Sequence, residues 1–277
     1  MSQRLRGIWA ETKRAFEAER YRVGGREVDL SADLAAMRDG TRLHLPQESA
    51  ALPAARTGRR TRFEVTGEST LAALLRLAGP GGGTEVAALN FASARNPGGG
   101  VANGARAQEE SLARSSALYA SLVLCPEFYA HHRAERSLLY SDRVIWSPRV
   151  PVLCDDRGER LAEPPVAGFL TAAAPNRRMI ERNSPQEAGE IPGVLAVRAR
   201  GVLAVAAHHG VEVLVLGAWG CGVFGNRPGE VADAFAAHLR GAGEFAGAFE
   251  HVVFAVLDRD PAVRGVFADR FPEASAG

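Results

Sequence analysis

Little in this chain points to cross-links, membranes or a polyanion coat. Its 277 residues include only three cysteines, Cys125, Cys154 and Cys221. They stand far apart, form no C-x-x-C pair and are odd in number, which excludes a disulfide framework. An excess of charge is also missing. Lys plus Arg is 33 and Asp plus Glu is 32, a net charge of +1. That excludes a basic nucleic-acid coat and an acidic tail, so any polyanion must bind at a local site. Long apolar runs are absent too. The most apolar stretch, 201–225, is broken by His208, His209, Glu212 and several glycines, and does not read as a membrane span. The first twenty residues lack an apolar h-region, so no signal peptide is expected and a cytoplasmic location is.

What is present describes a globular α/β protein. Hydrophobic residues make up 46% and charged residues 23%, which excludes disorder over most of the chain. A chain of this length buries roughly three quarters of its unfolded surface. The expectation is one large domain over 61–277 preceded by an N-terminal helical extension over 1–60. Residues 4–22 space Leu5, Ile8, Trp9, Phe16 and Tyr21 as the buried stripe of a surface helix. Residues 23–60 mix short extended pieces such as 42–45 with an Ala-, Arg- and Pro-containing stretch. Beyond them, 61–66, 86–91, 166–173, 211–216 and 251–257 read as strands, and 143–155 as two extended pieces. Helices are expected after the cap Ser69, from Gln108, over 194–208, from Pro228 and over 261–271. Residues 79–83 read as a flexible glycine-rich loop. Strands alternating with helices predict a substantially parallel sheet.

Two glycine-rich loops leave the C-terminal ends of predicted central strands, where open α/β sheets bind ligands. The first contains Asn96, Pro97, Gly98, Gly99 and Gly100; the second runs over 217–226. Glycines let backbone N–H groups approach an anion or sugar closely, and the helix after the second loop points its positive end at it. Side by side, the two loops suit a diphosphate. Residues 220–225 also match G-x-G-x-x-G after a strand, so a nicotinamide-dependent oxidoreductase is an alternative. The acid it requires lies about 20 residues on, whereas the next strand ends only at Asp258.

Gln108, Glu109 and Glu110 open a helix just after the first loop. Acids in a first helical turn are ordinary dipole partners. Beside a phosphate cradle, though, two adjacent carboxylates point about 100° apart. One can hold sugar hydroxyls while the other faces a scissile bond. His131–His132 and His208–His209 lack ligand spacing and read as surface or helix-end residues, so no metal is expected. Cys221 reads as a small residue tolerated in a tight turn, with no histidine base beside it.

Gly98-Gly99-Gly100, seven residues, then Gln108-Glu109-Glu110 resembles the signature of poly(ADP-ribose) glycohydrolases. The stretches 89–119 and 214–226 are similar to the bacterial-type branch, and 147–156 and 169–176 are also similar to family stretches. The likeness spans about residues 61–258, and the first sixty residues fit that branch's accessory helical extension. The resemblance implies a macrodomain-like three-layer α/β/α fold with a mixed central sheet. It implies a hydrolase that cleaves ribose–ribose O-glycosidic bonds, acts from chain ends and reverses ADP-ribosylation in the bacterial DNA damage response. Glu110 would be general acid and then base, and Glu109 would hold hydroxyls of the terminal ribose. Asn96, Gly98, Gly99 and Gly100 would line that ribose and the adjacent phosphate. Gly222, Val223, Phe224 and Gly225 would wrap the diphosphate, with Phe224 against the distal ribose, and Gln108 joins the substrate-binding set. No cofactor is implied. The partners would be poly(ADP-ribose), poly-ADP-ribosylated proteins and the product ADP-ribose, with no membrane and no direct nucleic-acid contact, and the chain a monomer. The alternative within the same fold is a reader that binds ADP-ribose without cleaving it, and such a reader has no need of the acid pair.

Overall fold

The computed structural model describes residues 2–79 and 85–272. The chain begins with α1 (Ser2–Glu17), the hairpin β1 (Arg20–Val23) and β2 (Arg26–Asp29), α2 (Ser31–Gly40), β3 (Arg42–His44) and α3 (Pro46–Ala51). Next come β4 (Arg62–Thr66), α4 (Thr70–Ala78), β5 (Val86–Phe91), α5 (Gln108–Ser115), α6 (Leu118–Leu122) and α7 (Pro126–Ala134). The rest is β6 (Val144–Pro151), β7 (Val166–Ala172), α8 (Arg177–Asn183), α9 (Ile191–His208), β8 (Val213–Leu216), α10 (Pro228–Leu239), β9 (His251–Ala255) and α11 (Pro261–Arg270).

Seven strands form one sheet in the order β3-β6-β7-β5-β8-β9-β4. The five strands from β7 to β4 run parallel, and β6 pairs antiparallel with both β7 and β3. The sheet is therefore mixed. Alternation within its strands sorts side chains to two cores. Val86, Ala88, Phe169 and Val215 face one core with α1, α2, α4, α5 and α7. Ala87, Leu89, Leu170, Leu214 and Phe254 face the other with α9, α10 and α11. Helices thus cover both faces, giving the three-layer arrangement. Among the described residues one helical stretch, 185–208, is long and apolar enough to cross a membrane. It includes α9, whose Leu195, Val202, Leu203 and Val205 are fully buried against the sheet.

Several expectations are refined. The first sixty residues hold strands as well as helices. Their β3 registers Leu43 against Ile145 of β6, so the central sheet takes one edge from outside the 61–277 span. The predicted helix over 4–22 stops at Glu17, and Tyr21 lies in β1. The two extended pieces over 143–155 are largely one strand, β6, with a register shift between Ser147 and Val150 where Arg149 takes a positive φ of 47°. Ser69 caps α4 as expected, accepting from the Ala72 N–H at 2.9 Å. Of the glycine-rich loop expected over 79–83, only Gly79 lies within the described residues.

Candidate active-site cleft

The site is built where β5, β8 and β9 end. After Phe91 the chain turns through Gly98 and Gly99, both left-handed at φ 66° and 56°, and a short 3-10 turn over Val101–Asn103 leads towards α5. The first residue of α5 ties it back to the strand. The Phe91 N–H donates to Gln108 Oε1 at 2.8 Å. Gln108 Nε2 donates to the Leu89 carbonyl at 2.8 Å and to Thr70 Oγ1 at 3.1 Å. With its amide saturated by β5 and α4, Gln108 sets the position of the two carboxylates that follow it.

Glu109 is 3% exposed. Its Oε2 accepts the Ser93 N–H at 2.6 Å and its Oε1 accepts from Asn90 Nδ2 at 3.3 Å. Asn90, itself fully buried on β5, is held in turn by Thr171 of β7 at 3.1 Å. Burial pushes the Glu109 carboxyl up to about 8, outweighing the donated hydrogen bonds, and the Glu110 charge adds to the rise. Glu109 is therefore mainly neutral at pH 7.

Glu110 has a different environment. Its Oε1 accepts the Gly100 N–H at 2.8 Å. Its Oε2 is buried and has no hydrogen-bond partner among the described residues. Gly99 packs directly over this group, and a Cβ there would stand 2.4 Å from Oε1. The glycine is thus required both by its positive φ and by the carboxylate.

These groups line a cavity of about 520 Å³ that also takes in Phe91, Asn96, Asn103, Val223 and Phe224. It adjoins a smaller space of about 100 Å³ between Phe91, Gln108, Trp219 and Gly222. That space leads to a third of about 300 Å³, walled by Ser69, Arg106, Asp156, Leu257 and Asp258. Phe91 borders all three. In the second glycine loop, the N–H groups of Gly222, Val223 and Phe224 make no hydrogen bond among the described residues. A Cβ on Gly222 would meet nothing within 4 Å. Three successive free amides and an open glycine form a nest suited to an anion. The Phe224 carbonyl, by contrast, is fixed by the Arg178 N–H at 2.9 Å.

The structure thus brings Asn96, Gly99, Gly100, Glu109, Glu110, Val223 and Phe224 to one cavity, and places Gln108 and Gly222 beside the next. Gly98 and Gly225 stand behind the loops, against Tyr119 and Arg178 respectively. Sequence reasoning missed Phe91, Ser93 and Asn103, although their place at a strand end and in the first loop was a usable signal. It also missed Trp219 within the second loop, and Asp156 and Asp258, which only the tertiary fold brings to the cleft. Cys221 lines the third space, its thiol pushed up to about 12 by burial, which suppresses the nucleophilic thiolate. His131 and His208 lie in last helical turns and His209 is a helix cap. His132 is at a helix end but fully buried, with its Nε2 2.7 Å from Ser141 Oγ, so for it the surface alternative fails.

The sequence model described as "Microbial-type PARG, catalytic domain" (poly(ADP-ribose) glycohydrolase) matches residues 10–155. Among solved structures, poly(ADP-ribose) glycohydrolase from Thermomonospora curvata is 52% identical, with a TM-score of 0.91, over 97% of this chain and 100% of that one. The same enzyme bound to the inhibitor ADP-HPD matches at 52% identity and a TM-score of 0.90, with the same coverage. The enzyme from Deinococcus radiodurans in complex with ADP-ribose is 44% identical, with a TM-score of 0.78, over 90% of this chain and 98% of that one. No curated protein matches significantly.

Proposed function

The chain belongs to the microbial-type poly(ADP-ribose) glycohydrolases, and from that premise we propose how its residues divide the work. It is a glycosidase that hydrolyses the ribose–ribose O-glycosidic bonds of poly(ADP-ribose) and releases ADP-ribose. Such a bond breaks when its leaving oxygen is protonated and the anomeric carbon passes through an oxocarbenium-like state. Many glycosidases divide acid and base between two carboxylates; here Glu110 serves as both. The observation that carries this is that Glu110 lines the cavity with Oε1 pinned by Gly100, while its buried Oε2 has no partner among the described residues. The Glu110 carboxyl carries the proton to the leaving ribose oxygen. The resulting carboxylate then takes a proton from water as that water adds to the anomeric carbon.

Glu109, neutral and held by Ser93 and Asn90, positions hydroxyls of the terminal ribose beside Asn96 and Gly98–Gly100. The amides of Gly222, Val223 and Phe224 hold the diphosphate, with Gly225 completing the turn and the Phe224 ring against the distal ribose. Gln108 supports substrate binding by fixing α5 on β5. The walls at Asp156, Leu257 and Asp258 close the far end of the cleft around a terminal adenosine, which favours attack from chain ends. A cytoplasmic monomer acting on poly-ADP-ribosylated proteins fits this reading. The test is release of ADP-ribose from polymer by Glu110→Gln with binding titrated alongside. Wild-type turnover by that variant would remove Glu110 from the chemistry.

A further inference from the structure

The run Arg56-Thr-Gly-Arg59-Arg60-Thr-Arg62 leads into β4 and takes no part in the cleft. It is not a loose tail. The Thr57 N–H donates to the Ala246 carbonyl at 3.0 Å, Thr57 Oγ1 to the Gly247 carbonyl at 2.5 Å and Thr61 Oγ1 to the Phe249 carbonyl at 2.8 Å. Pinned in this way to the turn before β9, the segment borders a cavity of about 280 Å³ with Arg56, Arg59, Arg60 and Arg240 around it and no acidic side chain in its lining. Arg240 is set in place over the Phe63 ring at 5.7 Å and donates to the Arg270 carbonyl at 2.8 Å. Only Arg59 has an acidic partner, Glu250 at 3.8 Å. Arg56, Arg60 and Arg240 have none within 4.0 Å among the described residues. Four arginines border one hollow, three of them without an acidic partner, and guanidinium groups suit the planar, bidentate recognition of phosphate.

We propose that this hollow is a second polyanion site that holds a distant stretch of the poly(ADP-ribose) chain being degraded. This rests on the glycohydrolase reading above. The hollow lies before β4 and β9, whereas the cleft lies after β5, β8 and β9, and these strands are parallel. The two sites therefore occupy opposite ends of one sheet, and a chain must be several repeats long to reach both. The net charge of +1 gives little long-range attraction for a free duplex. A chain already anchored in the cleft needs no such attraction, because tethering supplies a high effective concentration at the second site.

The experiment compares wild type with the Arg56→Ala/Arg59→Ala/Arg60→Ala variant. Labelled poly(ADP-ribose) of about twenty repeats is titrated onto both in a Glu110→Gln background, which leaves the cleft open to anchor the chain without cleaving it. With the arginines intact the long polymer should bind in a salt-sensitive way, and the triple substitution should lose on the order of tenfold in affinity for it. In hydrolysis, KM for the long polymer should rise several-fold while kcat and KM for a two-unit oligomer stay at wild-type values. An Arg→Lys version of the same triple variant, which keeps the charge, should recover part of the lost affinity. Equal long-polymer binding with and without the triple substitution would overturn the proposal. So would loss of duplex DNA binding with long-polymer KM unmoved, which would make the hollow a nucleic-acid site. Failure of wild type to cleave even the two-unit oligomer would overturn the glycohydrolase reading instead, and the binding arm would still decide the second site.

Discussion

Glu109 and Glu110 are neighbours in sequence and share one helical turn, yet their surroundings assign them opposite work. Two protein donors hold the oxygens of Glu109, whereas Glu110 keeps one oxygen without a partner. Glu110→Gln preserves the contact with Gly100 and removes the transferable proton. Turnover should fall by about 10²–10⁴, the usual contribution of a positioned proton-transfer group. ADP-ribose affinity, measured by calorimetry, should change far less, since the loop amides hold the phosphates. Glu109→Gln should weaken both affinity and rate, because it disturbs the contact with Asn90 that sets the carboxamide against ribose hydroxyls. A simple helix-dipole role for the pair predicts near-normal hydrolysis by both variants, and that outcome would discard the division of labour. Phe224→Ala tests the other wall. Losing the ring should weaken ADP-ribose binding and leave the melting temperature unaltered, because the residue is only half-buried at the cleft edge.

At the level of elements, the two glycine loops were legible because glycine at a strand end leaves few other uses for the chain. Their inner working was not. Gly99 and Gly222 look alike in sequence, yet one is packed and the other open. Gly99→Ala places a methyl group onto the Glu110 carboxylate at a left-handed φ, so it should cost roughly 1–2 kcal/mol of stability and most of the turnover. Gly222→Ala meets no protein atom and should leave the melting temperature in place while ligand affinity drops. Paired melts and titrations check both; an equal stability loss in the two variants would mean that the second loop is only a turn. Strands β5, β7, β8 and β9 were readable from apolar runs, and α5 from the acidic residues of its first turn. Helices α2, α6, α7 and α8 were not, since short helices in mixed sequence carry little periodicity. The edge strand β3 has only three residues, and its identity depends on partners in β6 that lie a hundred residues away. Asp156 and Asp258 likewise reach the cleft only through tertiary closure.

Across the whole molecule, buried titratable groups set how stability depends on pH. Glu109 binds its proton in the folded state up to about 8, whereas an ordinary carboxyl near 4.5 has released it. Between these values the folded chain holds a proton that the unfolded chain lacks. Glu109 therefore costs stability as pH rises through that window, at about 1.4 kcal/mol per unit. The histidines act in the opposite sense. Burial depresses His132 and His209 from 6.5 to about 4, and His44 and His251 shift in the same direction. Below pH 6.5 the unfolded chain takes protons that these folded imidazoles refuse, so stability is lost as pH falls towards 4. His132 is fully buried and carries this effect most fully, while partly exposed His209 is screened by solvent. Between about 4.5 and 6.5 the histidines together outweigh the opposing Glu109 slope, and only the Glu109 slope remains from 6.5 to 8. Stability should therefore be greatest near pH 6.5 and fall by about 2 kcal/mol on going to pH 8. For a chain of this size that is a drop of several degrees in melting temperature. Glu109→Gln removes the alkaline limb, so its melting temperature should stay level between pH 6.5 and 8.5. His132→Asn, which keeps a polar side chain near Ser141, should flatten the acid limb instead. Thermal melts of the three proteins at pH 5, 6.5 and 8.5 separate these contributions. An alkaline limb that persists in Glu109→Gln would show that Glu109 is ionised in the folded cleft, and its neutral role towards the ribose would then fail.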